Sequence, residues 1–295
     1  MALLGMEQQQ LACFRDVFEA RHTALFPESD ELKAVLEAAL DSQIWEDHSG
    51  KGDLPPDLLC PSANLMMEVM GIDDHAHKGR KKLVNPYKER ESALTREIAD
   101  SGVLNMLPEV QRLFVSAATS LPTAEDHCHA FYLEEFKRVL HKHAVKVPQY
   151  HMNHPRNKLV FLVFDNSSGS YLQVADGLPM PSTVFEGLAV QGKSHLFWAD
   201  VAFQEAIYSC GADYLIWCTP WKYAWDAQGR QIPFPKACVY NLSYRVAPSI
   251  RYAAERMVSS EIKELITARW SLNRETPAEG TMHTVRTSSM DILPI

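Results

Sequence analysis

The run Lys158-Leu-Val-Phe-Leu-Val-Phe164 constrains the fold more than any other stretch of the chain. An unbroken apolar segment of strand length, bounded by turn-forming residues, reads as a buried strand and calls for a sheet with covering layers. Tyr214-Leu-Ile-Trp-Cys218, Ala237-Cys-Val-Tyr-Asn-Leu242 and Leu65-Met-Met-Glu-Val-Met70 have the same character, the last carrying one carboxylate at Glu68. Tyr171 to Val174 is expected to pair with the 158–164 strand across the turn formers of residues 166–169. Apolar spacing at three and four residues predicts helices over 10–26, 30–45, 85–99, 105–118, 123–143, 200–209 and 261–270, with Ser29 as the N-cap of the second. Pro148 is expected to close the 123–143 element. Helices come first and then strands interleaved with helices, without a regular βαβ alternation. The expected fold is α/β (α+β), a mixed central sheet flanked by helices with an N-terminal helical portion. Its expected divisions are 1–50 helical, 51–270 the mixed α/β domain, and 271–295 a loosely held tail.

A chain of 295 residues with 46% hydrophobic content is long enough to bury its own core. A formal charge of −8 argues against a protein that coats nucleic acid with a uniformly basic surface, and leaves room for a local basic patch. Six cysteines, at 13, 60, 128, 210, 218 and 238, contain no Cys-x-x-Cys pair, which fits reduced thiols of a cytoplasmic protein. The start of the chain lacks the basic then apolar pattern of a secretory signal. No stretch approaches the roughly 18 to 20 apolar residues of a membrane helix, so no membrane partner is expected.

The pattern that bears most directly on chemistry is Pro56-Asp57, ten intervening residues, and Glu68-Val69-Met70 on a predicted strand. Carboxylates that share Mg²⁺ or Mn²⁺ neutralise the charge that develops on phosphate oxygens and lower the pKa of bound water. Over residues 30 to 75 the chain resembles the PD-(D/E)XK nuclease superfamily. That resemblance implies metal-dependent hydrolysis of phosphodiesters by a mixed sheet flanked by helices. It assigns Asp57 and Glu68 to the metal and asks for a lysine two positions after Glu68. The residue there is Met70, on the same strand face as Glu68 and without a charge or a proton to offer.

A lysine from elsewhere or a histidine base is therefore required, and the downstream segment Asp73-Asp74-His75-Ala-His77-Lys78-Gly-Arg80-Lys81-Lys82 holds the nearest ones in sequence. The expected site has Asp57, Glu68 and Lys82 in catalysis, and Asp57, Glu68, Asp74 and His75 around the metal. Lys78, Arg80, Lys81 and Lys82 are the expected nucleic-acid contacts. The alternative is a non-catalytic α/β interaction protein with a degenerate or absent site, and Met70 favours it.

Other groups carry less. Glu135-Phe-Lys137 and Glu261-Ile-Lys263 spell E-x-K within helical patterns, where positions i and i+2 diverge by about 200°. Asp126-His-Cys-His129, His141-x-His143 and His151-x-x-His154 match no zinc signature. Asp165, at the end of the strongest strand, is a separate candidate because loops at strand ends commonly bind ligands. Trp217, Trp221, Tyr223 and Trp225 are either core packing or a stacking surface.

Overall fold

The computed structural model describes residues 6–18, 22–48, 56–74, 92–94, 96–98, 100–102, 110–115, 129–167, 170–174, 176–177, 185–186, 192–220, 222, 224–225, 231–232, 234–245, 251–261, 268–272 and 282–285. In chain order the principal elements are α1 (Met6–Val17), β1 (Thr23–Phe26), α2 (Asp30–Leu40), β2 (Glu46–Asp47), β3 (Leu58–Cys60), β4 (Leu65–Ile72), β5 (Val110–Val115), α3 (His129–Ala144) and α4 (Val147–Asn153). There follow β6 (Lys158–Asp165), β7 (Ser170–Val174), β8 (Phe185–Glu186), β9 (Gly192–Ser194), α5 (Val201–Ser209), β10 (Tyr214–Cys218), β11 (Ala224–Trp225), β12 (Gln231–Ile232), β13 (Ala237–Asn241), β14 (Met257–Glu261), β15 (Ala268–Leu272) and β16 (Met282–Val285). The chain divides into two compact units, Met1–Asp74 with His127–Glu261, and His75–Asp126 with Ile262–Ile295. These limits differ from the expected boundaries at 50 and 270, and β16 lies within the stretch expected to be a loose tail.

The first unit is built on a mixed seven-stranded sheet in the order β1-β13-β10-β6-β4-β3-β2. Strand β6 lies at its centre, with every residue but Lys158 buried. It runs parallel to β4, with Leu65 opposite Lys158 and Ile72 opposite Asp165, and parallel to β10, with Tyr214 opposite Val160. Strand β3 returns antiparallel to β4, and β13 antiparallel to β10, so the middle is parallel and the flanks are mixed. Side chains alternate between the faces. Met66, Met70, Ile72, Leu159, Phe161 and Val163 join Tyr132, Phe136 and Leu140 of α3 and Phe203 and Ile207 of α5 in one apolar core. Trp217 is part of it, stacked on Phe136 with ring centroids 4.4 Å apart, so that aromatic is core packing. Helix α1 packs against β4 and β6. At that contact, a Cβ on Gly71 would lie 2.0 Å from Gln10 Nε2, and the missing side chain is what admits Gln10.

Several expectations are corrected. Residues 23–26, read as the end of a helix, form the edge strand β1 beside β13, where Phe26 stacks on Tyr240 at 4.9 Å. Pro148 stands in the first turn of α4, where its missing N–H costs no hydrogen bond, and so opens a helix rather than closing a segment. Strand β7 pairs with β14 and β9 in a separate four-stranded sheet, not with β6. Residues 257–261 and 268–272 are strands, so Glu261 ends β14, and the helical argument against its E-x-K does not hold; Lys263 lies outside the described residues. Helix α2 does begin at the Ser29 cap, whose hydroxyl accepts a hydrogen bond from Leu32 N. Cys13, Cys60, Cys210, Cys218 and Cys238 are buried and form no disulfide.

The second unit contains a three-stranded antiparallel sheet in the order β16-β15-β5. Strand β5 replaces the helix expected over 105–118. Among the described residues no helix is long and apolar enough to cross a membrane.

Candidate functional site

Leu58 of β3 lies opposite Met67 of β4, and the same antiparallel register brings Asp57 beside Glu68. Asp57 Oδ2 accepts a hydrogen bond from Val69 N at 2.7 Å, extending the ladder where β3 begins. Glu68 is 3% exposed and points, like Met66 and Met70, toward the helical face. There the end of α3 and the turn into α4 surround its carboxylate. His143 Nδ1 lies 2.6 Å from Glu68 Oε1, and Lys146 Nζ lies 3.7 Å from the same oxygen. Burial, with the neighbouring charges of Glu68 and Asp57, pushes the Tyr150 phenol above its ordinary value, so both acids lie close to that ring. The Lys146 side chain is 33% exposed, while the Glu68 carboxylate beneath it is buried. Met70 is enclosed in the core and takes no part.

Lys146, from the junction of α3 and α4, thus lies beside Glu68, and Asp57 lies on the neighbouring lead-in to β3. Glu68 is buried under His143 and Lys146, and carboxylate oxygens are the donors that a hard divalent cation takes.

Asp74, expected at the same metal, is elsewhere. It lies beyond the end of β4, and its phenol partner neighbours Tyr132, while Glu68 meets His143 at the far end of α3. Eleven helical residues separate those two, about 16 Å, too far for shared ligation. His75, Lys78, Arg80, Lys81 and Lys82 lie outside the described residues.

Asp74 belongs instead to a buried cluster at the carboxyl ends of β4 and β6 and in the segment after β10. Tyr171 donates a hydrogen bond to Asp74 Oδ2 and Tyr132 donates one to Asp165 Oδ2, each at 2.5 Å. Asp165 Oδ1 also accepts from the Ser167 amide and hydroxyl. The two phenol rings stack at 5.5 Å, and Lys222 Nζ lies 4.3 Å and 4.7 Å from their centres. Burial lowers the lysine's pKa, while the Asp165 and Asp74 charges oppose the shift. Burial likewise raises the Asp165 carboxyl, with the Lys222 charge the strongest influence against it. This is an ionic core in which every member depends on the others.

A third group adjoins it through Tyr171, whose ring meets that of His129 edge to face at 5.5 Å. His129 opens α3, His195 follows β9, and Asp200 is the N-cap of α5. All three are buried, and one donor atom of each lies within 4.8 Å of the others. Burial lowers the His195 pKa to about 4 against the hydrogen bond to Asp200, keeping the ring neutral near pH 7. For Asp200 burial acts upward, but hydrogen bonds from His129, His195 and Ala202 N outweigh it and hold the carboxyl below its usual range. Sequence reasoning missed His195, Asp200, Lys222 and Lys146 as site residues; it named His129 and His143 and set them aside, and it did single out Asp165.

No family model, no curated protein and no solved structure matches this chain.

Proposed function

We propose that the chain is a divergent metal-dependent nuclease-like protein that hydrolyses phosphodiesters at Asp57 and Glu68, with Lys146 in the role that Met70 cannot fill. The observation that carries the reading is the 3.7 Å approach of Lys146 Nζ to Glu68 Oε1, which supplies an ammonium beside the strand carboxylate whose register neighbour is Asp57. Asp57 and Glu68 would hold Mg²⁺ or Mn²⁺, which when bound offsets charge on the phosphate and acidifies water. Lys146, part-exposed beside the acids, orients the attacking water and faces the incoming phosphate with a positive charge. His143, with Nδ1 on Glu68, is placed to take up a proton. The basic run Lys78 to Lys82 is the proposed sequence-independent contact to nucleic-acid phosphates.

The test is incubation of the full chain with labelled single- and double-stranded DNA and RNA, with Mg²⁺, Mn²⁺ or chelator. The wild type should cleave only with a cation. Lys146→Ala and Glu68→Gln should each lose about 100-fold or more, the ordinary worth of a positioned proton-transfer or charge-stabilising group. A wild type inert towards all four substrates, or a Lys146→Ala variant as active as the wild type, overturns the reading and leaves the non-catalytic interaction protein in its place.

A further inference from the structure

We propose that His129, His195 and Asp200 bind one zinc-type divalent ion through His129 Nε2, His195 Nε2 and Asp200 Oδ2, at a site separate from Asp57 and Glu68. The three atoms form a triangle with edges of 3.3 Å between the imidazoles, 2.9 Å from His195 to Asp200 and 3.7 Å from His129 to Asp200. Four ligands at about 2.0–2.1 Å around tetrahedral zinc have an edge of about 3.3–3.4 Å. The observed edges bracket that value, and their mean falls on it. The triangle is the face that three protein ligands present when a fourth position is left for water or substrate.

The ligands are held in place by backbone. His195 N donates to Tyr171 O at 2.9 Å. Asp200 spends its other oxygen, Oδ1, on the cap to Ala202 N at 3.0 Å, which turns Oδ2 toward the histidines. Such fixed orientation outside the ligand set is what raises metal affinity. Rings of Tyr171, Phe203 and Tyr252 stand around the histidines and fix their planes. Two imidazoles with one carboxylate select a borderline ion such as zinc over Mg²⁺ or Ca²⁺, which prefer oxygen alone. His129 and the Glu68 partner His143 lie fourteen residues apart on α3, about 21 Å, so the ions differ in both place and kind.

The experiment strips the full chain with chelator, titrates it with zinc against a chromophoric competitor, measures bound metal by mass spectrometry, and repeats the loading with Co²⁺. One equivalent of zinc and the intense visible absorption of four-coordinate Co²⁺ are expected. His129→Gln, and independently the near-isosteric Asp200→Asn that can keep the helix cap, should each weaken zinc binding by about 100-fold or more. Glu68→Gln should bind zinc like the wild type, so that loss of nuclease activity and loss of this site are told apart. Failure of the stripped wild type to take up zinc at micromolar concentration, or one equivalent retained in His129→Gln/Asp200→Asn, overturns the proposal.

Discussion

Replacing Lys222 with methionine keeps most of the side chain's length and removes its charge from between two buried carboxylates. Asp74 and Asp165 are both fully enclosed, and the lysine is 6% exposed. Removing one partner from a buried ionic group costs about 3–5 kcal/mol, because the remaining charge loses its compensation. Loss of the ammonium over the Tyr132 and Tyr171 rings falls within that figure rather than adding to it. At about 2–4 °C per kcal/mol for a unit of this size, the melting temperature should fall by roughly 6–20 °C at pH 7.5.

The sign of the pH dependence follows from Asp165. Its carboxyl is already raised by burial, and Lys222 is the strongest influence holding it down. Without the lysine it rises further, so above about pH 4 the folded state binds a proton that the unfolded state has released. Wild type loses stability in the same way up to its own raised Asp165 pKa, so the variant falls relative to wild type between that value and its own higher one, and the gap levels off above it. Urea titrations followed by tryptophan fluorescence at pH 5 and pH 8 measure the gap. It should be smaller at pH 5, and Lys222→Met/Asp165→Asn should recover part of the loss at pH 8. A variant within about 1 kcal/mol of wild type at pH 8, or a gap that widens toward acid, would refute the ionic-core argument.

Gly71→Ala should destabilise by about 1–3 kcal/mol, the usual cost of forcing a side chain into a packed interface, and adding Gln10→Ala should relieve most of it because Gln10 is the group displaced. Ser29→Ala removes the cap from Leu32 N and should cost about 1 kcal/mol in chemical denaturation. Burial raises the Cys210 thiol to about 11 and also pushes Cys238 up. Both should resist thiol-specific labelling at pH 8 until the protein is unfolded, and rapid modification of either in native protein, mapped by peptide mass spectrometry, would contradict their enclosure.

The parts of the fold legible in the sequence are those where burial dictates residue type. Strands β4, β6, β10 and β13 are apolar through nearly their whole length because both faces of the sheet are covered, and each was placed from that run alone. Strand β1 was not, because an edge strand needs only half its surface apolar, and Thr23-Ala-Leu-Phe26 fits a helical stripe as well as a strand. The hairpin expected between β6 and β7 had the right turn residues and the wrong partner, since pairing depends on β14, more than eighty residues further on. The site divides in the same way. Asp57 and Glu68 come together through a local hairpin and could be read from spacing. Glu68's partner His143 is separated from it by 75 residues, and His129 from His195 by 66. Neither pairing leaves a local signal. His129 was set aside because Asp126-His-Cys-His129 matches no zinc signature, and Asp200 was seen only as the start of α5. Its capping role was the one available clue to a fixed carboxylate, and it gave no reason to look toward His195.

The most direct examination of the central claim is an anomalous-difference map from a crystal soaked in Mn²⁺. The account predicts a peak within ligating distance of both Asp57 and Glu68, with the Lys146 ammonium next to it. A map whose manganese peaks avoid those two carboxylates would contradict the claim.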